Sequence, residues 1–174
     1  MKPNLLAILA AGAIAALTPP ASAQPKIADG FVKLGVLTDM SGPYSDNNGI
    51  GSVIAAQMAV QDFGGKVLGV PVKVIYADNQ NKPDIGVSIA RQWIDTEKVA
   101  AFVDMGASDV GIAVGHLAQD RNRIVLNSGS STTRITNEDC NTVTAHWTYD
   151  TYALSKGTAV AITKRGGNSW FFIT

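Results

Sequence analysis

Three stretches of this chain concentrate hydroxyls and glycines where strands give way to helices or loops. Ser41, Gly42 and Ser45 follow the first predicted strand, Gly106 and Ser108 the third, and Ser128 to Thr133 (SGSSTT) the fourth. Ser and Thr hydroxyls, with the free N–H groups of helix N-termini, can hold a carboxylate or phosphate without a buried cationic side chain. Taken singly, each is an ordinary cap or turn former. Right-handed crossovers put all three loops at one edge of the sheet, and it is their coincidence that points to a binding site.

Bond-making chemistry has little support. His116 falls inside a predicted helix and His146 in a predicted strand, and neither stands in a metal-ligand spacing such as H-E-x-x-H. There is no G-x-S-x-G elbow and no phosphate-binding G-x-x-x-x-G-K-[ST] loop. Gly49-x-Gly51 lacks the third glycine of a dinucleotide fingerprint. Asp39, Asp104 and Asp109 lie near strand ends, but a general-base or metal role requires them to converge in space. The expectation is no catalytic residue, no metal and no cofactor.

The elements that must position those loops can be read from hydrophobic patterning. Residues 33–38 form an apolar first strand without clean alternation, as expected when both faces are covered. A loop over 39–51 leads into a helix over 51–63, with Val53, Ala56, Val60 and Phe63 on one face. Further strands are predicted at 70–77, 99–105, 123–127, 142–147 and 169–174. Helices are predicted from Pro83, which suits a first helical turn, from Ser108 as N-cap, and over 153–164. Ile85, Ile89 and Trp93 share a face, so Trp93 is read as core. Regular alternation of strand and helix predicts an α/β fold, a mostly parallel doubly wound sheet with helices on both faces. The apolar run at 169–174 (SWFFIT) lacks following chain to pair with, which leads us to expect the N-terminal part of a longer protein.

Residues 1–23 carry a basic start at Lys2, an apolar run over 5–17 and Ala21-Ser22-Ala23, the pattern of a secretory signal peptide cleaved after Ala23. The remaining chain has 13 basic and 14 acidic side chains. That balance argues against nucleic acid or an anionic membrane surface as partner, and no direct membrane insertion is expected after signal cleavage. Cys140 is the single cysteine, so no internal disulfide framework exists.

The segments KLGVLTDMSGPY (33–44), FGGKVLGVPV (63–72), NSGSST (127–132) and HWTYDTY (146–152) together resemble the leucine-binding-protein type of periplasmic substrate-binding protein of ABC transporters. The resemblance runs from Phe31 to Thr174 and is nearest to a branch taking aromatic or other small carboxylic acids. It implies a class I periplasmic-binding-protein fold of two α/β lobes closing over a ligand in the cleft. Residues 24–148 would form the first lobe, and 149–174 the hinge exit and the start of a second. It further implies a branched-chain amino acid or related small carboxylate as ligand and a membrane permease as partner, with the protein in the periplasm. Ligand contacts carried over by motif are Ser108, Asp109, Ser130, Ser131 and Thr132 for the carboxylate, Tyr44 for the ligand's side chain, and Tyr149 near the hinge. Asp109 departs from the small hydroxyl residue expected there, and a carboxylate would repel an acid unless it meets an ammonium or solvent. The chain holds half of such a site, so weak or no binding is expected from it alone. A ligand-sensing domain of a receptor or regulator, or a secreted enzyme on the same fold, are the alternatives.

Overall fold

The computed structural model describes residues 30–171. The expected signal peptide and residues 172–174 of the expected last strand lie outside the described residues.

Strand β1 (Val32–Thr38) occupies the middle of the sheet. It pairs in parallel with β3 (Val70–Asp78) on one side and β4 (Ala101–Asp104) on the other. Strands β5 (Ile124–Asn127) and β6 (Thr144–His146) extend the sheet in parallel beyond β4. A two-residue strand β2 (Lys66–Val67) caps the far edge antiparallel to β3, giving the order β2-β3-β1-β4-β5-β6. The hairpin joining β2 to β3 was not foreseen. Its turn residues Leu68 (φ 50°) and Gly69 (φ 82°) both adopt positive φ, as a type I′ turn requires, but Leu-Gly lacks the usual Asn-Gly signal.

Helices α1 (Gly49–Asp62), α2 (Pro83–Gln92) and α3 (Ser108–Asp120) are the crossovers. Strand order places α1 on one face, against β1 and β3, while α2 and α3 pack together on the other. The doubly wound, mostly parallel architecture is therefore as predicted. Alternation along the strands divides their side chains accordingly. Leu37, Phe102 and Val125 join Val99, Val110, Val114 and Leu117 in the core beneath α2 and α3. Val36 and Val53 are buried outside that cluster, where α1 covers β1. Each such side chain contributes about 1.5–3 kcal/mol relative to exposure.

Trp93 is core, as its spacing suggested. It begins a π-helical turn, Trp93–Glu97, that ends α2, and its ring stacks on Phe102 with centroids 6.3 Å apart. Gly35 makes the seat for it: a Cβ there would lie 2.6 Å from the indole. Phe63, expected on the inner face of α1, is instead 71% exposed, because the helix ends at Asp62 before that face completes another turn.

Helix α4 (Thr151–Lys164) follows β6 and buries none of its residues. The expected strand beyond it is not formed at 169–171, which run as irregular backbone. A strand needs a neighbouring ladder, and no described strand lies beside this segment.

Candidate functional site: the carboxyl edge of the sheet

Because β1, β3, β4, β5 and β6 run parallel, the loops after them share one edge, as the strand order predicted. Each of the four longer strands ends on, or next to, an Asp or Asn whose side chain organises that edge. The Asp39 carboxylate accepts from Gly42 N at 2.7 Å and Tyr44 N at 2.9 Å, folding the first loop back on itself. Asp78 accepts from Met40 N, Ser41 Oγ and Gln80 N at 2.6–2.9 Å, tying the same loop to the end of β3. Asp104, at the end of β4, accepts from Asn48 Nδ2 at 2.9 Å. Asn127, at the end of β5, accepts from Ser130 N and donates to Ser130 Oγ, both at 3.0 Å. Short polar side chains at strand ends bond readily to backbone two or three residues on, which is why this residue type recurs here.

Burial pushes the Asp78 carboxyl upward, but the bonds from Ser41, Met40 and Gln80 outweigh it and hold the group below its usual range. A carboxyl lowered in the folded state stabilises the fold fully above its unfolded value of about 4 and loses that contribution as pH falls through the folded value. Asp78→Asn should therefore lower the urea midpoint at pH 7, and the gap from the parent protein should narrow as the solution is taken below about pH 4. A gap constant from pH 7 to 3 would contradict this account of Asp78.

The expected contacts do not share one fate. Tyr44 is 43% exposed at the tip of the first loop, and Tyr149 is 51% exposed where the chain leaves β6. Ser108 is not the N-cap that was expected. Ala107 takes the cap position in extended backbone, and Ser108 is the first helical residue. Its Oγ accepts from Ser131 N at 3.3 Å and Thr132 N at 3.2 Å, joining the third loop to the hydroxyl-rich one. The Ser108 hydroxyl hydrogen and the Ser131 hydroxyl have no partner among the described residues. Asp109 is exposed in the first turn of α3, with Oδ1 beside its neighbour Val110 N. Thr132 Oγ1 accepts from Arg134 N, capping a short 3₁₀ turn at Thr133–Thr136. Ser131 O accepts from Thr151 N at 2.7 Å, so the start of α4 is pinned to the same loop.

Ser130 departs from the expectation of a ligand contact. It is fully buried, and its Oγ donates to Met105 O at 2.7 Å while accepting from Asn127. Its N–H goes to Asn127, and its carbonyl accepts from His146 Nε2 at 2.7 Å. Every polar group of Ser130 is thus used inside the lobe. His146 is accordingly a prop for the hydroxyl loop. His116 pairs on the surface with Asp139, which also pairs with Arg134. Among the described residues no group of three His, Cys, Asp or Glu side chains is placed to hold a metal.

Sequence reasoning passed over Asn48 and Asn127, and treated Asp104 only as a metal or base candidate. Their shared signal, an Asp or Asn at or next to the end of each of the four longer strands, is present in the sequence but too common to single out a site.

The family model described as periplasmic binding protein matches residues 32–174. A crystal structure of a periplasmic binding protein from Burkholderia mallei superposes with a TM-score of 0.79 at 45% identity, covering 84% of this chain and 39% of that one. The chain belongs to the periplasmic binding proteins. A branched chain amino acid ABC transporter periplasmic ligand-binding protein from Burkholderia xenovorans gives a TM-score of 0.75 at 38% identity, covering 80% of this chain and 37% of that one. An ABC transporter solute binding protein from R. palustris, in complex with 4-hydroxybenzoate, shares the fold at 24% identity and a TM-score of 0.71, covering 78% of this chain and 36% of that one. No curated protein matches. This periplasmic binding protein chain therefore spans well under half the length of the solved relatives. Among its described residues no helix is long and apolar enough to cross a membrane.

Proposed function

We propose that this chain is the ligand-gripping first lobe of an extracytoplasmic solute-binding protein. It captures a small carboxylate, a branched-chain amino acid or an aromatic acid, and hands it to an ABC transporter permease. Residues 1–23 direct export and are removed after Ala23. The residues beyond Tyr149 open the second lobe. The B. xenovorans relative is a branched chain amino acid ABC transporter periplasmic ligand-binding protein and the R. palustris relative holds 4-hydroxybenzoate, and both are consistent with this reading.

One observation carries this reading. Ser108 Oγ has both acceptor positions filled by the N–H groups of Ser131 and Thr132, so its hydrogen is left to donate outward. It does so at the N-terminus of α3, where the helix dipole favours a negative charge, and where the Asp109 carboxylate already takes the Val110 N–H. Ser131 adds a second hydroxyl, and the exposed Tyr44 and Tyr149 rings offer apolar packing surfaces. No reaction is implied. A ligand that touches both lobes stabilises the closed form by its extra affinity for that form.

The test is a titration of the mature full-length gene product with leucine, benzoate and 4-hydroxybenzoate, followed by Trp fluorescence and melting temperature. Saturable shifts with at least one acid are expected. Shifts with a neutral sugar and none with any acid would overturn the assignment. In the same assay Ser108→Ala should weaken the acid that binds by about 10- to 100-fold, since a hydrogen bond to a charged group is worth about 1.5–3 kcal/mol. An amide in place of the ligand's carboxylate should lose little between the two proteins. Equal losses for acid and amide would remove Ser108 from the carboxylate grip.

A further inference from the structure

The geometry points to a buried pair, Asn48 and Asp104, as the positioning residues that set the spacing between the aromatic wall of the site at Tyr44 and its carboxylate wall at Ser108 and Ser131. This inference rests on the ligand reading above and extends it to two residues that touch no ligand.

Asn48 stands immediately before α1, where an Asn side chain normally caps the helix. Here it makes no cap bond. Its Nδ2 crosses instead to Asp104 Oδ1, 56 residues along the chain, in a site where Asn48 is 8% and Asp104 1% exposed. The same residue reaches the aromatic wall through its backbone, because Asn48 N donates to Tyr44 O at 2.9 Å. With Asp39 holding Tyr44 N, the Tyr44 backbone is fixed from both sides. Asp104 reaches Ser128, at the start of the loop that carries Ser131 in the other wall. Its Oδ1 also takes a longer bond from Ser128 Oγ at 3.4 Å, and its carbonyl accepts from Ser128 N at 3.3 Å.

Three further features mark the pair as built for position. Asp104 (φ 82°) and Met105 (φ 59°) are successive non-glycine residues in left-handed backbone, a conformation that the surroundings must impose. Gly106 and Gly129 both lie close against the pair: a Cβ on Gly106 would lie 2.6 Å from Asn48 Oδ1, and one on Gly129 2.8 Å from Asn48 Nδ2. Among the described residues Asp104 Oδ2 is buried without a partner. A core serving only stability gains nothing from a half-satisfied carboxylate, and a hydrophobic pair of similar volume would serve it as well. A hydrogen bond of defined length and direction between two loops is what the apolar pair lacks.

The experiment uses the full-length mature protein and four variants: Asn48→Ala, Asn48→Asp, Asp104→Asn and the exchanged double Asn48→Asp/Asp104→Asn. The exchange reverses the direction of the bond and keeps its length. Two readouts are taken, hydrogen exchange of the backbone amides at 44–48 and 128–132, and dissociation constants for leucine and benzoate. Asn48→Ala should speed exchange in both loops on the order of tenfold and weaken whichever probe the parent binds by a similar factor. Asn48→Asp should do at least as much by setting two carboxylates face to face, and the exchanged double should return within about threefold of the parent. The proposal is overturned if the double is as impaired as the sum of its single changes, or if Asn48→Ala leaves both loops' exchange unaltered. Should the parent bind neither probe, the ligand reading fails, while the exchange data still decide for or against the pair.

Discussion

Gly129→Ala is expected to be severely damaging for a single added methyl, lowering stability by about 3 kcal/mol and the melting temperature by roughly 10 °C. The added Cβ would sit 2.6 Å from Gly106 Cα, 2.7 Å from Asp104 Oδ1 and 2.8 Å from Asn48 Nδ2. The first of these is backbone and cannot rotate aside. The other two are the partners of a buried hydrogen bond, so any retreat breaks it and strands polar groups away from water. Overpacking and lost bonding therefore add. Gly157→Ala in α4 is the matched control. No described residue lies within 4 Å of a Cβ there, and replacing a helical glycine by alanine should be neutral or stabilising by up to about 1 kcal/mol. Thermal and urea denaturation of the two variants beside the parent decides the matter. A Gly129→Ala protein that melts within 2–3 °C of the parent would show that these loops approach less closely than described.

Ser130→Ala should cost about 2 kcal/mol of stability, with binding affected only through that loss. The hydroxyl is fully buried, donates to Met105 O and accepts from Asn127 Nδ2. Alanine leaves a carbonyl and an amide hydrogen without partners, each bearing part of its desolvation penalty. The pocket cannot be refilled with something larger, because Gly111 of α3 lies so close that even its own Cβ would overlap Ser130 Oγ. Ser130→Val should accordingly be worse than Ser130→Ala. Ser108→Ala also unpairs the N–H groups of Ser131 and Thr132, so both changes lower the urea midpoint, and the dissociation constant separates the two serines: the change at Ser108 moves it beyond any loss of stability. A Ser130→Ala protein with unaltered stability and a tenfold weaker ligand would return Ser130 to the ligand-contacting set.

The fate of those two serines shows what was legible. The sequence placed hydroxyls after the third and fourth strands, and the parallel sheet does bring those loops to one edge. Which hydroxyl points outward was not legible. Ser130 and Ser131 are neighbours of one type, and the distinction comes from α3, whose Gly111 admits Ser130 into the interior. Ser108 was read as a helix cap on local pattern, yet it serves a loop more than twenty residues away. Asn48 likewise gives up a cap for a partner across the sheet. Capping rules weigh a few adjacent residues and have no means of scoring a distant competitor.

Apolar runs and their spacing by themselves determined the order of elements, the parallel doubly wound sheet and the burial of Trp93, because burying such runs is the dominant driving force and leaves a periodic trace. They determined less at the ends of elements. Phe63 fits the helical period but falls past the last turn, and the apolar segment at 169–171 forms no strand without a ladder to join. Tertiary structure alone decided the rim: that Asp39 and Asp78 shape the first loop, that Asn48 meets Asp104, and that Gly106 and Gly129 lie close enough to leave no room for a side chain. Apart from the local bonds of Asp39, those are contacts between residues far apart in the chain, set by where the strands end relative to one another. Local preference contains no term for that.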